Sequence, residues 1–159
     1  MHVDLATSEA PKTAARLLPA EDKDYKYSRF LHLSNWRAFS PGPQDFPLAV
    51  MNSRSVPDDE GMINIAVWQD DPPPEDLANL PPIEENEKVR LGKSFIFPYR
   101  EGYEWYYFSN MTRDELLTFK LHDSDHSRPW RTPHCAFKND APGAKLRESI
   151  EIRTCCYFK

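Results

Sequence analysis

The chain has 159 residues, 40% apolar and 13% aromatic, enough to fill one modest core and so one domain. Its 25 acidic and 20 basic side chains leave a formal charge of -5, and the charges are scattered with no basic stripe, so no nucleic acid is expected as a partner. No run approaches the roughly 18 apolar residues that span a bilayer, and residues 1–20 lack the order of a signal peptide, so the expectation is a soluble, cytoplasmic protein with no membrane partner.

Three cysteines make an odd count, and Cys155 and Cys156 are adjacent, so an extended strand points them to opposite faces; reduced, structural thiols are expected. Five glycines against 15 prolines favour short strands joined by stiffened loops over long helices. In chain order, His2-Val3-Asp4 is followed by a helix over 8–18, where alanines and leucines recur at helical spacing, Ser8 caps and Pro11 sits inside the first turn. Strands are predicted over 27–36 and 47–51, on either side of the Pro41-Gly42-Pro43 turn signal, and over 62–69, where Ile63, Ile65 and Val67 alternate. Residues 70–88, with Asp70-Asp71-Pro72-Pro73-Pro74-Glu75 and Glu84-Glu85-Asn86-Glu87, bury too little apolar surface to order themselves and read as an exposed loop. Strands resume over 94–99 and 103–108, Thr112 to Glu115 has a helix-start pattern, and strands follow over 116–121 and 149–158. Many short strands without an internal repeat imply a mainly β sandwich or barrel-like jelly roll.

The chemistry lies in three separated pieces. In extended backbone His2 and Asp4 project from the same face and can grip one ion together. His134 would complete a 2-His-1-carboxylate triad, which leaves three positions open on Fe(II). Thirteen residues further on, Arg147 offers a bidentate fork for a dicarboxylate tail, with the Ser149 hydroxyl on the same face. A His-x-Asp alone is equally a surface motif, whereas the ordered set His-x-Asp, distant His, Arg-x-Ser is far rarer. His122-Asp123-Ser124-Asp125-His126 is a second cluster, but Ser127-Arg128-Pro129 beside it suggests a solvated loop. His32 reads as a satisfied strand histidine, and Cys135 is expected to turn away from His134 into packing, which leaves a cysteine hydrolase a poor third choice. Neither a phosphate-binding glycine loop nor a nucleophile elbow is present.

Around these residues, Arg29-Phe30, Asn35-Trp36-Arg37, Gln44-Asp45-Phe46-Pro47-Leu48-Ala49, Trp105-Tyr106-Tyr107-Phe108, Asn110-Met111-Thr112, Asp114-Glu115-Leu116-Leu117, Thr132-Pro133-His134-Cys135-Ala136-Phe137 and Arg147-Glu148-Ser149-Ile150-Glu151-Ile152-Arg153 resemble the AsaB-like hydroxylase/desaturase family. The resemblance covers most of residues 27–159. It implies an Fe(II)/2-oxoglutarate oxidoreductase that hydroxylates or desaturates a small molecule, with a double-stranded β-helix (jelly roll), incomplete and carrying short flanking helices. Residues 1–159 would form a single oxygenase-like domain matching the C-terminal part of the family's length, shortened at its N-terminus. By position His2, Asp4 and His134 would hold iron, Arg147 and Ser149 would bind 2-oxoglutarate, and Asn35, Trp36 or Arg37 would line the substrate pocket. The competing expectation is a non-catalytic remnant that binds a small molecule or a protein.

Overall fold

The structure is a computed structural model that describes residues 1–69 and 89–159. The acidic, proline-rich stretch 70–88 lies outside the described residues. Nine strands are described: β1 (His2–Val3), β2 (Arg29–Ala38), β3 (Leu48–Met51), β4 (Met62–Gln69), β5 (Val89–Ile96), β6 (Trp105–Tyr107), β7 (Leu117–Asp123), β8 (His134–Ala136) and β9 (Ser149–Phe158). One helix, α1 (Ala10–Leu17), and two single-turn 3₁₀ helices accompany them. All strand pairings are antiparallel and fall into two sheets, one of six strands in the order β4-β5-β1-β8-β3-β6 and one of three in the order β7-β2-β9. This is the mainly β, jelly-roll-type architecture expected from the strand pattern.

The local choices follow from residue chemistry. β2 alternates strictly between half-buried and buried positions, so Phe30, His32, Ser34, Trp36 and Ala38 share one face and Leu31, Leu33, Asn35 and Arg37 the other. β4 and β9 span the residues expected of them, whereas α1 is capped at Glu9 without a side-chain bond, not at Ser8. At Thr112 the helix-start chemistry forms without a helix: Glu115 accepts from both the Thr112 amide (2.6 Å) and its hydroxyl (3.0 Å). The leucine-rich segment that follows is pulled into β7, where pairing with β2 outweighs helix propensity.

Three apolar clusters hold the elements together. Trp36, Ala38, Phe119 and Leu121 of the small sheet pack with Met111 against Leu48 and Val50 of β3, which ties one sheet to the other. Val3, Met51, Val56 and Phe97 join β1, β3 and β5, and Ala10 and Ala14 of α1 seat on Phe30, Tyr27 and Tyr157. The segment before β8 is stitched to both sheets: the Thr132 amide donates to the Lys120 carbonyl (2.9 Å) and the Met51 amide to the Pro133 carbonyl (2.8 Å). Among the described residues no helix is long and apolar enough to cross a membrane.

At the far end of β7 the His122–His126 segment departs from its reading as a solvated loop. His122 is 2% exposed and Asp123 is fully buried. Asp123 accepts from Arg29 Nε (2.9 Å) and Nη2 (2.8 Å), from Lys120 Nζ (2.7 Å) and from the Asp125 amide (3.0 Å). Burial alone would raise this carboxyl; the Arg29 and Lys120 bonds outweigh it and hold it well below the usual carboxylate range. His122 stacks with Phe30 and meets His126 and Trp130 edge-on, and its buried Nδ1 has no hydrogen-bond partner among the described residues. Burial first, then His126, His32 and Arg131, push it down to about 4 against the pull of Asp123. His32, opposite His122 in the ladder, is satisfied as expected: its Nε2 lies 3.0 Å from the Ala10 carbonyl.

Two stability predictions follow from this node. Asp123→Ala leaves Arg29 and Lys120 without their shared anion and should cost about 3 kcal/mol, read from the urea midpoint. Because the folded carboxyl titrates below its unfolded value, its contribution is complete above roughly pH 4 and fades as the pH falls further. For His122 the unfolded chain takes up a proton between roughly pH 6.5 and 4 that the folded chain refuses, so stability drops across that window by up to about 3 kcal/mol. His122→Phe should flatten that part of the stability-against-pH curve while leaving the acid limb below pH 4.

Candidate metal centre and its cleft

The first strand is only two residues long, yet it decides the site. β1 is inserted between β5 and β8, and its pairing sets His2 directly opposite His134. Their rings meet at 4.5 Å between centroids. Asp4, just past the end of β1, turns its carboxylate between them: Oδ1 lies 3.1 Å from His2 Nε2 and Oδ2 lies 3.4 Å from His134 Nε2. One ligand atom from each of the three residues falls within 4.8 Å of the others. The sequence set His2, Asp4 and His134 is therefore brought to one point.

His134 is the best-held member. It is 5% exposed, its ring packs at 4.8 Å from Phe119, and its Nδ1 lies 3.1 Å from the Thr132 carbonyl. With Nδ1 facing that carbonyl, Nε2 is the nitrogen turned toward Asp4 and the one a metal ion would take in place of a proton, the arrangement found around metal-ligating histidines. His2 is nearly half exposed and Asp4 about one-fifth, so the cluster opens on one side. Burial alone would raise the Asp4 carboxyl; bonds from His134 and His2 and the charges of His134 and Arg153 more than offset it, so Asp4 is an anion at any ordinary pH.

A cleft of about 290 Å³ opens in front of the cluster, bordered by Trp36, Leu48, Phe119, Arg147, Glu151 and Arg153 as well as the three ligand candidates. Arg147 lies along its rim, with its guanidinium 5.9 Å from the Trp36 ring, its Nη1 donating to the Phe46 carbonyl (2.7 Å) and its amide held by Asp45 Oδ1 (2.9 Å). Trp36 borders the cleft. Asn35 and Arg37 do not: strand alternation turns both to the opposite face of the small sheet, where Asn35 bonds Thr118 (3.0 Å) and Thr154 (3.1 Å). Ser149 opens β9 opposite Ala38, is exposed, and does not border the cleft. Cys135 borders the cleft, where the expectation had it turned into packing; burial pushes its thiol up, which disfavours a nucleophilic thiolate.

Two polar residues escaped notice as site residues. Glu151 and Arg153 share one face of β9 and border the same cleft as Arg147, which precedes the strand; the signal for them was the even spacing of charged residues 147, 151 and 153 in a strand-like run.

Two antiparallel sheets thus hold a facing cluster of two imidazoles and one carboxylate, with an arginine on the rim of the same cleft. The chain belongs to the family described as "Oxidoreductase/YMDC permease-like domain", whose model matches residues 1–157. It is 30% identical over 164 residues to the Fe(II)/2-oxoglutarate-dependent dioxygenase nvfI of Aspergillus novofumigatus, covering 99% of this chain and 51% of that protein. It is 27% identical to the hydroxylase/desaturase efuI of Hormonema carpetanum (100% and 51% covered) and 30% identical to the hydroxylase/desaturase asaB of Aspergillus flavus (83% and 57%). The hydroxylase/desaturase resemblance read from the sequence is borne out by these relatives. In three dimensions the chain is similar to the iron and alpha-ketoglutarate-dependent endoperoxidase NvfI, with a TM-score of 0.72 at 29% identity over 99% of this chain and 52% of that one. The chain thus spans about half the length of the curated relatives it matches.

The charge arrangement predicts a metal-free stability effect. In chelated buffer Asp4→Ala removes the acceptor shared by Arg153 and the two histidines and should cost about 1–3 kcal/mol. Urea unfolding of both proteins with chelator present checks it.

Proposed function

We propose that this chain carries the metal-binding and co-substrate-binding parts of an Fe(II)/2-oxoglutarate-dependent oxidoreductase that hydroxylates or desaturates a small molecule of secondary metabolism. The convergence of His2, Asp4 and His134 on one point, at the back of a cleft that Arg147 also borders, carries this reading. The donor set fits the ion: two neutral imidazole nitrogens and one permanently ionised carboxylate are the ligands of a facial triad, and the open side of the cluster leaves room for exogenous ligands. When bound, iron with 2-oxoglutarate supplies two-electron oxygen activation coupled to decarboxylation of the co-substrate.

The chain's own residues have separable tasks in this reading. The Thr132 carbonyl keeps the His134 proton on Nδ1 so that Nε2 stays available as a ligand. Arg147, anchored through its amide to Asp45 and through one guanidinium nitrogen to Phe46, offers its remaining donors to the distal carboxylate of the co-substrate. Trp36, Leu48 and Phe119 give the cleft an apolar wall that excludes water and suits a largely hydrocarbon substrate. Ser149 does not border the cleft, where Glu151 and Arg153 take the wall positions beyond Arg147.

Anaerobic titration of the chain with Fe(II) and 2-oxoglutarate tests the reading. A weak visible charge-transfer band should develop, vanish in His134→Ala, and in Arg147→Ala require about 10- to 100-fold more 2-oxoglutarate, the loss expected for a charge-assisted bond to a carboxylate. A folded chain that gives no band at saturating iron rejects the proposal.

A further inference from the structure

Arg153 is the only residue of the small sheet whose side chain reaches the ligand cluster through a bond described in the structure: its Nη2 donates to Asp4 Oδ2 at 2.9 Å. The guanidinium is itself aimed. Its Nε donates to Glu151 Oε1 (2.8 Å), and the same oxygen accepts from the hydroxyl of Ser34 (3.0 Å), which is fully buried on β2. β9 pairs with β2 along ten consecutive positions, so the strand that carries both Glu151 and Arg153 is fixed in place. Asp4 has no comparable support of its own, because it follows a strand of two residues and lies beyond the last ladder pair of β1.

We propose that Arg153 is a positioning residue for the metal ligand Asp4: by occupying Oδ2 it presents the carboxylate to a divalent ion through a single oxygen, with Glu151 and Ser34 holding Arg153 in that pose. The inference rests on the metal-centre reading above and adds to it a ligand count. With Oδ2 committed, His2, His134 and one Asp4 oxygen supply three ligands and leave three positions of an octahedral ion open; a bidentate Asp4 would close a fourth. The sign of the effect separates this role from mere proximity. A guanidinium beside a divalent cation repels it, so if Arg153 were only a neighbour, its removal would tighten metal binding. If it positions Asp4, removal loosens binding, as losing an outer partner of a metal ligand does.

Co(II) added to the purified chain, followed by its visible d–d absorption, decides between them. Arg153→Met should raise the Co(II) Kd by roughly 10- to 100-fold and change the shape and intensity of the spectrum as the carboxylate swings to a second oxygen. Arg153→Lys, which keeps a donor and the charge but not the fork, should recover part of the affinity, and Glu151→Gln should show a smaller loss. Circular dichroism and thermal melts identify any variant that fails to fold, in which case the lysine and glutamine variants decide. Unchanged or tighter Co(II) binding with an unaltered spectrum in folded Arg153→Met overturns the inference and leaves the metal centre standing. No Co(II) spectrum from the unsubstituted chain overturns the metal centre and this inference with it.

Discussion

The antiparallel pairing of β1 with β8 is the constraint on which the site depends. Two residues of strand are little to order, and the backbone cost of about 1–2 kcal/mol for each must be met by partners on both sides. β5 and β8 supply them, and Val3, fully buried with Met51 and Phe97, anchors the short strand from the face opposite His2. Once Val3 is seated, alternation leaves no choice: His2 must face His134 across the ladder, and Asp4 must return to the same side.

The second constraint joins the sheets. The apolar cluster of Trp36, Phe119 and Leu121 against Leu48 and Val50 packs β2 and β7 onto β3, and the backbone bonds of residues 130–133 repeat the tie in polar form. His134 inherits its position from both. Its strand belongs to the six-stranded sheet, its ring packs on Phe119 of the three-stranded one, and the Thr132 carbonyl that orients it is bonded through its own residue to β7. The bulge in β7, where the partner of the ladder jumps from His122 to Lys120, sits between this region and the Asp123 node. Residues on either side of it serve different ends, Phe119 the cleft and Asp123 the ion-pair anchor.

The surface is apolar in places the core does not explain. Ile63, Ile65 and Trp68 of β4, Tyr106 and Tyr107 of β6, and Ile150 and Ile152 of β9 are about half exposed, and the Trp68 ring turns its edge toward Gly92 of β5, where a Cβ would meet it at 2.6 Å. The cleft gains its apolar wall from a different set, Trp36, Leu48 and Phe119, so these exposed apolar side chains do not border it.

Period-two alternation determined β4 and β9 to the residue, whereas β2, found from its aromatic and aliphatic content over 27–36, runs two residues later at each end. The candidate ligand types and their order along the chain were equally legible, since the proposed facial triad and its arginine need particular residues whatever the fold. Strand β8 was not, because three residues carry no period, and only the gap between β1 and β3 makes them a strand. Facing was a tertiary decision as well: Asn35 and Arg37 flank Trp36 in sequence, but the sheet sends them to the opposite side. His122 and Asp123 looked solvated beside Ser127-Arg128-Pro129, yet β7 runs far enough to bury both, with Arg29 arriving from 94 residues away to neutralise the carboxylate. The link from Arg153 to Asp4 spans 149 residues, and no local pattern encodes it. Composition and spacing specify which groups a site has, whereas the register between strands distant in sequence decides which of them meet.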